Sequence, residues 1–251
     1  MKFYRLLMIV FTTIIFSCKS EKNSISKIDS ERISIDNSLN DDSEISDFIK
    51  PYKQHLNATL DSVLAYNPEL LSKSKGDLNT AIGNLMADTV YLQANPVFKR
   101  RTGKEIDMVL LNHGGIRSEI PSGNITSRTA YEIMPFENEI VVAELTAKKI
   151  KQMLKYLEKA KTAHPVSGIK ILANRNYKII KATINNKEIE DDRTYYVATS
   201  DYLVTGGDNM RFFKNPASLH STDYKIRNAM IDYFNKIDTI KAKIDDRYIR
   251  N

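Results

Sequence analysis

A single cysteine, Cys18, is present in the 251-residue chain, so no disulfide can form within it. Histidine is almost as scarce. His55, His113, His164 and His220 are spread singly with no paired spacing, which excludes the two-histidine helix of zinc proteases, and no phosphate-cradling P-loop pattern occurs either. The net charge of +6 is mild and lacks the dense Lys/Arg stripe of a nucleic-acid binder, so no nucleic-acid partner is expected. There is no internal repeat.

The apolar run from Leu6 to Phe16 is too short to span a bilayer comfortably. Preceded by Lys2 and Arg5, it has the form of a signal peptide. Ile15-Phe16-Ser17-Cys18 resembles the lipobox of bacterial lipoproteins, in which the cysteine is acylated and becomes the new N-terminus. This implies a lipidated Cys18 and a membrane anchor at the bacterial cell envelope, on its periplasmic or surface side. Loss of residues 1–17 removes two basic and no acidic residues, so the charge falls from +6 to +6 − 2 = +4. Residues 18–46 are rich in Ser, Asp, Asn, Glu and Lys, lack aromatics and show no apolar periodicity, which describes a solvated tether. Residues 47–251, with most of the 42% hydrophobic content, are expected to form the folded domain.

Within that domain, Phe48, Ile49, Tyr52, Leu56, Leu60, Val63 and Leu64 recur at helical spacing and predict a packing helix. A second helix is expected from Asp77, its candidate cap, to Gln93. Gly83 interrupts it at a cost of about 1 kcal/mol against alanine, which predicts a close backbone contact or a nearby ligand. Glu139 to Leu145 reads as a strand and Thr146 as the cap of a helix with Ile150, Met153, Leu154 and Leu157 inward and lysines outward. Ile169–Leu172, Tyr177–Ile184 and Tyr195–Thr199 read as strands joined by hairpins, and Lys225–Ile237 as a last helix before a charged tail. The fold class is therefore α/β mixed (α+β), a mixed sheet packed with helices.

The chain is organised around Asp107-Met-Val-Leu-Leu-Asn-His-Gly-Gly-Ile-Arg117. Met108 to Leu111 look like a buried strand that stops at Asn112. Gly114 and Gly115 are expected to take up positive φ or to lie close to a ligand, and Arg117 offers a planar fork of donors suited to phosphate or carboxylate. Ser122-Gly123-Asn124 is a further turn, Thr126 or Ser127 caps a short helix, and Met134-Pro-Phe-Glu-Asn138 ends it.

Asn112-His-Gly-Gly-Ile-Arg117, Pro135-Phe136-Glu-Asn138 and Tyr202-Leu-Val-Thr-Gly-Gly-Asp208 resemble, in order, the C-terminal substrate-binding domain of the 5'-nucleotidase family. Ile82-Gly-Asn-Leu-Met-Ala-Asp88 and His164-Pro-Val-Ser-Gly-Ile169 belong to the same ordered set. The resemblance implies a substrate-binding group of Asn112, Gly114, Gly115, Arg117, Phe136, Tyr202, Gly206, Gly207 and Asp208. Two rings, Phe136 and Tyr202, would sandwich a base, Asp208 would accept from ribose hydroxyls, Asn112 would meet a base edge and Arg117 a phosphate. Three departures stand out. Leu78, or a neighbour in a shifted register, aligns with a substrate-contacting arginine, Tyr202 with a phenylalanine, and Asn209-Met210 with Gly-Phe.

In that family, hydrolysis belongs to a separate N-terminal metallophosphatase domain with two metal ions, and its ligand set is not visible here. No catalytic residue, metal ligand or cofactor is therefore expected in this chain, and divalent metals are expected only in a partner. Two readings follow: the recognition domain of a nucleotide hydrolase with a separately encoded metallophosphatase subunit, or a non-catalytic nucleoside- or nucleotide-binding lipoprotein. A structural lipoprotein without ligand is a third.

Overall fold

The computed structural model describes Tyr4, residues 25–36 and residues 38–251. Cys18 and the remainder of the segment read as a signal peptide lie outside the described residues. The chain divides into two compact units, residues 1–49 and 50–251. Among the described residues no helix is long and apolar enough to cross a membrane.

Helix α1, Ser43–Leu60, carries an apolar stripe at helical spacing but buries none of its residues, so it is not the packing helix expected. Helical periodicity requires only that one face be apolar, not that something cover it. Arg128 fastens its C-terminal end, reaching Asn57 at 2.9 Å and Asp61 at 2.6 Å. Val63 and Leu64 are not its continuation, because they open strand β1, Val63–Asn67.

Helix α2 spans Ala81–Thr102 rather than 77–93. The Thr80 side chain caps it by accepting from the Gly83 amide at 3.1 Å. Asp77 lies three residues ahead of that cap, and its carboxylate instead receives Arg250 at 2.9 Å. The helix also runs on past Gln93, through Pro96, since Ala94 and Phe98 are both buried. Gly83 does make the close contact expected of it, for a Cβ there would sit 2.9 Å from the Thr80 hydroxyl and 3.5 Å from the Pro165 ring.

Strand β2, Met108–Leu110, is followed by β3, Gly123–Thr126, helix α3, Ser127–Ile133, strand β4, Glu139–Thr146, and helix α4, Ala147–Ala160. Next come β5, Val166–Ser167, β6, Ile169–Ala173, β7, Ile179–Ile184, β8, Lys187–Glu188, and β9, Thr194–Ser200. A single-turn helix α5, Asp201–Val204, strand β10, Ser218–Lys225, helix α6, Ile226–Phe234, and strand β11, Tyr248–Arg250, complete the order.

The central sheet has the order β10-β4-β9-β2-β5, with β2 and β9 parallel and the other neighbours antiparallel. Side chains alternate across it and feed two cores. Val109, Leu111, Val142 and Ala198 face α2 and α6, while Met108, Leu110, Ala143, Leu145 and Val197 face α4 through Ile150, Met153 and Leu157. Burial on both faces explains why 108–111 reads as an unbroken apolar run.

A second sheet, ordered β11-β6-β7-β8, and a two-stranded β1-β3 ribbon flank the centre. Strand β9 does not follow β7 and β8 in a hairpin as its sequence suggested, but crosses into the central sheet. Nor is the charged tail free. Tyr248 is buried, β11 pairs in parallel with β6, and Asn79 donates to the Tyr248 carbonyl at 2.8 Å. Arg247 reaches both oxygens of Asp88, at 2.8 and 2.9 Å.

The segment before β5 supports the end of β2. The Leu111 amide donates to the Pro165 carbonyl at 2.9 Å, and the His113 amide donates to His164 Nδ1 at 3.2 Å. His164 must be neutral to accept there. Burial first, then the neighbouring His113, holds its pKa down to about 4, against the opposing pull of Asp208 and of the Leu111 backbone. A depressed folded-state value stabilises the fold above the ordinary histidine pKa, and this contribution drains away as pH falls from there toward 4. Between pH 7 and pH 4.5, His164 should account for a loss of about 2 kcal/mol. Denaturant unfolding should give the wild type a steeper acid slope than His164→Asn, which keeps an acceptor but does not titrate; equal slopes would contradict this origin.

Candidate functional site

Three adjacent strands of the central sheet converge at one edge. The parallel strands β2 and β9 deliver Asn112 and Tyr202 just past their C-terminal ends, and the antiparallel β4 brings Phe136 and Asn138 just before its start. A cavity of about 310 Å³ opens there, lined by Asn112, Gly114, Gly115, Arg117, Phe136, Asn138, Tyr202 and Asp208. Seven of the nine residues singled out from sequence therefore meet at one place; Gly206 and Gly207 do not line it. Asn138 was quoted in the motif but not singled out.

Asn112 is buried and aims its amide across the cavity, Nδ2 donating to Asp208 Oδ2 at 2.8 Å. The next three residues, His113–Gly115, form a 3-10 turn. Neither glycine has positive φ, so the expected left-handed turn is not their reason. At Gly115 closeness is, since a Cβ there would lie 2.9 Å from Asn112 Oδ1; at Gly114 a Cβ would make only ordinary contacts, 3.6 Å from both Asn112 Nδ2 and Asp208 Oδ2. Arg117 is exposed, spends one donor on the Gly114 carbonyl at 3.3 Å and lies 5.8 Å from the Phe136 ring centroid. Its remaining donors are open to an anion.

Phe136 and Tyr202 are 40% and 43% exposed, so neither ring is spent as a core anchor. The Phe136 loop is held from beneath by Arg227 of α6, which is buried, donates to the Met134 and Phe136 carbonyls at 3.5 and 3.3 Å and pairs with Glu137. That pair draws the Glu137 carboxyl below its ordinary value. Arg227 also stacks 4.1 Å over Tyr131. Sequence reading missed Arg227; an arginine beside the inward Ile226 was its only signal.

Gly207 lies against the Tyr202 ring, and Gly206 lies against the Lys214 side chain. Gly206 has φ +100°, and a Cβ on Gly207 would come within 2.4 Å of the Tyr202 ring. Tyr202 is the second residue of α5, where its amide donates to Ser200 Oγ and Asp201 Oδ1. Asp208 follows in the left-handed region, φ 49° and ψ 26°. Its Oδ1 accepts from the Tyr202 hydroxyl at 3.0 Å, and its carbonyl accepts from the Tyr156 hydroxyl at 3.0 Å. Tyr156, on α4, was likewise missed. Burial, then the negative charge of Asp208, raises its pKa and keeps it a donor.

The departures from the family pattern resolve locally. Asn209 takes φ 59°, a conformation asparagine tolerates better than most residues, and Met210 is fully buried. Leu78 is buried beside Met108 and Leu110 in the core and takes no part in the cavity. Among the described residues there is no group of three or more His, Cys, Asp or Glu side chains placed to hold a metal ion.

The cavity thus combines two uncovered rings, two side-chain amides, one carboxylate and one guanidinium. Its volume lies at the lower end of the range typical of small-molecule sites, about 300–1,000 Å³.

Known proteins share both this sequence and this fold. A trifunctional nucleotide phosphoesterase protein of Bacillus subtilis (strain 168), YfkN, is 28% identical over 212 residues, covering 76% of this chain and 14% of its own length. A 5'-nucleotidase of Vibrio vulnificus (strain CMCP6) is 25% identical over 191 residues, 71% of this chain and 32% of its own. The crystal structure of a 5'-nucleotidase precursor from Thermus thermophilus superposes with a TM-score of 0.69 at 22% identity, over 82% of this chain and 42% of that one. The chain therefore spans less than half the length of each of these proteins. The family model for the 5'-nucleotidase C-terminal domain matches residues 59–215, and the chain belongs to that family.

Proposed function

We propose that this chain supplies nucleoside and nucleotide recognition to a 5'-nucleotidase-type phosphoester hydrolase in nucleotide catabolism, with catalysis carried by a separately encoded metallophosphatase subunit. The observation that carries this reading is the convergence of Phe136, Tyr202, Asn112, Asn138, Arg117 and Asp208 on one cavity, from segments far apart in sequence. A base would lie between or against the two rings, with the amides of Asn112 and Asn138 at its edge. Asp208 would accept from the ribose hydroxyls, and Arg117 would meet the phosphate. The loops around Asn112, Phe136 and Asp208 would face the catalytic partner, whose metal ions activate water and clamp the departing oxygens. Acylation of Cys18 would keep the assembly at the cell envelope.

One feature favours a second reading, a binding lipoprotein without a catalytic partner. Of the residues lining the cavity Arg117 alone is cationic, and Leu78 is sealed in the core. A lone guanidinium grips phosphate less firmly than a cluster does.

The purified chain, assayed with divalent metal against AMP, should show no turnover and should gain it on adding the metallophosphatase. Robust hydrolysis by the isolated chain would reject the division of labour. In calorimetry, Phe136→Ala should weaken nucleoside binding at least about fivefold, since stacking on a ring contributes about 1–3 kcal/mol per base. Its melting temperature should hardly move, because the ring is exposed. Gly207→Ala should weaken binding as well, by forcing the Tyr202 ring aside; wild-type affinity in both variants would remove the rings from the site.

A further inference from the structure

Asp208 is held at four atoms. Its amide donates to the Tyr202 hydroxyl at 3.3 Å, and that same hydroxyl donates to its Oδ1 at 3.0 Å. Asn112 Nδ2 reaches Oδ2 at 2.8 Å, and the Tyr156 hydroxyl donates to its carbonyl at 3.0 Å. A hydroxyl carries one donor and two acceptor sites, so Tyr202 can serve the amide and the carboxylate together. The residue so held sits in a left-handed conformation that a side chain adopts at a cost of about 1 kcal/mol or more.

Tyr156 does not belong to the loop it fastens. It projects from α4, with its ring 5.6 Å from His164 and 5.6 Å from Phe212. Its hydroxyl is therefore placed by the core, and the loop takes its position from that fixed point. A phenylalanine at position 202 would supply the ring without the clasp. Each carboxylate oxygen of Asp208 has accepted one hydrogen bond and retains a lone pair for another. Two adjacent acceptors held at a fixed angle suit two adjacent hydroxyl donors.

We infer that the hydroxyls of Tyr156 and Tyr202 brace Asp208 so that its carboxylate is pre-set for a vicinal diol, making Tyr156 a positioning residue for ribose over sugars lacking that diol. The inference rests on nucleoside binding at this cavity. Its experiment is calorimetry on the full-length chain in detergent, using adenosine and 2',3'-dideoxyadenosine as paired probes. Tyr156→Phe should weaken adenosine about tenfold, equivalent to about 1.4 kcal/mol, and leave dideoxyadenosine within twofold. Tyr202→Phe should narrow the ratio between the two ligands in the same direction.

Adenosine affinity in Tyr156→Phe within twofold of wild type would overturn the brace. So would an equal loss for both ligands, the mark of a merely structural role. If Tyr156→Phe folds poorly, an unchanged ligand ratio in Tyr202→Phe overturns it alone. Failure of the wild type to bind either ligand is a different result, since it removes nucleoside recognition itself and the brace with it.

Discussion

Burial of the central sheet on both faces is the constraint from which the rest follows. With α2 and α6 against one face and α4 against the other, the inner strands β4, β9 and β2 are mostly buried, whereas the edge strand β10 is largely exposed. On the inner strands, accessible polar and aromatic side chains gather where the strands end. The parallel pair β2 and β9 ends at the same edge at which β4 begins, so three chain segments deliver polar and aromatic residues to one spot. Ligand sites at the carboxyl ends of parallel strands are a general outcome of this geometry.

The edge is then tied together by polar contacts that skip the strands. Asn112 and Asp208 meet across 96 residues of sequence, and the strained backbone of Asp208 persists because hydroxyls and an amide hold it from several directions. On the opposite wall a buried arginine, Arg227, fixes the Phe136 loop by its carbonyls. Both arrangements put a loop under the control of a helix packed in the core. Such preorganisation lowers the entropy lost when a ligand binds.

Much of this was legible in the residues alone. The run 108–111 stops at a buried asparagine because the strand stops there, and Ile150, Met153 and Leu157 show the inward face of α4 by spacing. The ordered motifs located the cavity. What escaped was whatever depends on a distant partner. Asp77 looks like a helix cap but pairs with Arg250 instead, 173 residues away, and Tyr156 and Arg227 give no local sign of the carbonyls they bind. The paired glycines were visible as glycines, but their reason was not. At Gly115 it is an adjacent amide, and at Gly207 an adjacent ring. The exposed stripe on α1 shows the converse, a clear period without a buried face.

Strand β11 has a kinetic consequence. Asn79, at the mouth of α2, is joined to Tyr248 across 169 residues, and Asp77 to Arg250 across 173. Contacts so remote in sequence form slowly, because the ends of a long loop must find each other before anything is gained. The smaller sheet therefore lacks its edge, and α2 lacks its clamp, until residues 245–250 have been made. A chain built this way stays open while everything between its two halves of the clasp is being made, and closes late.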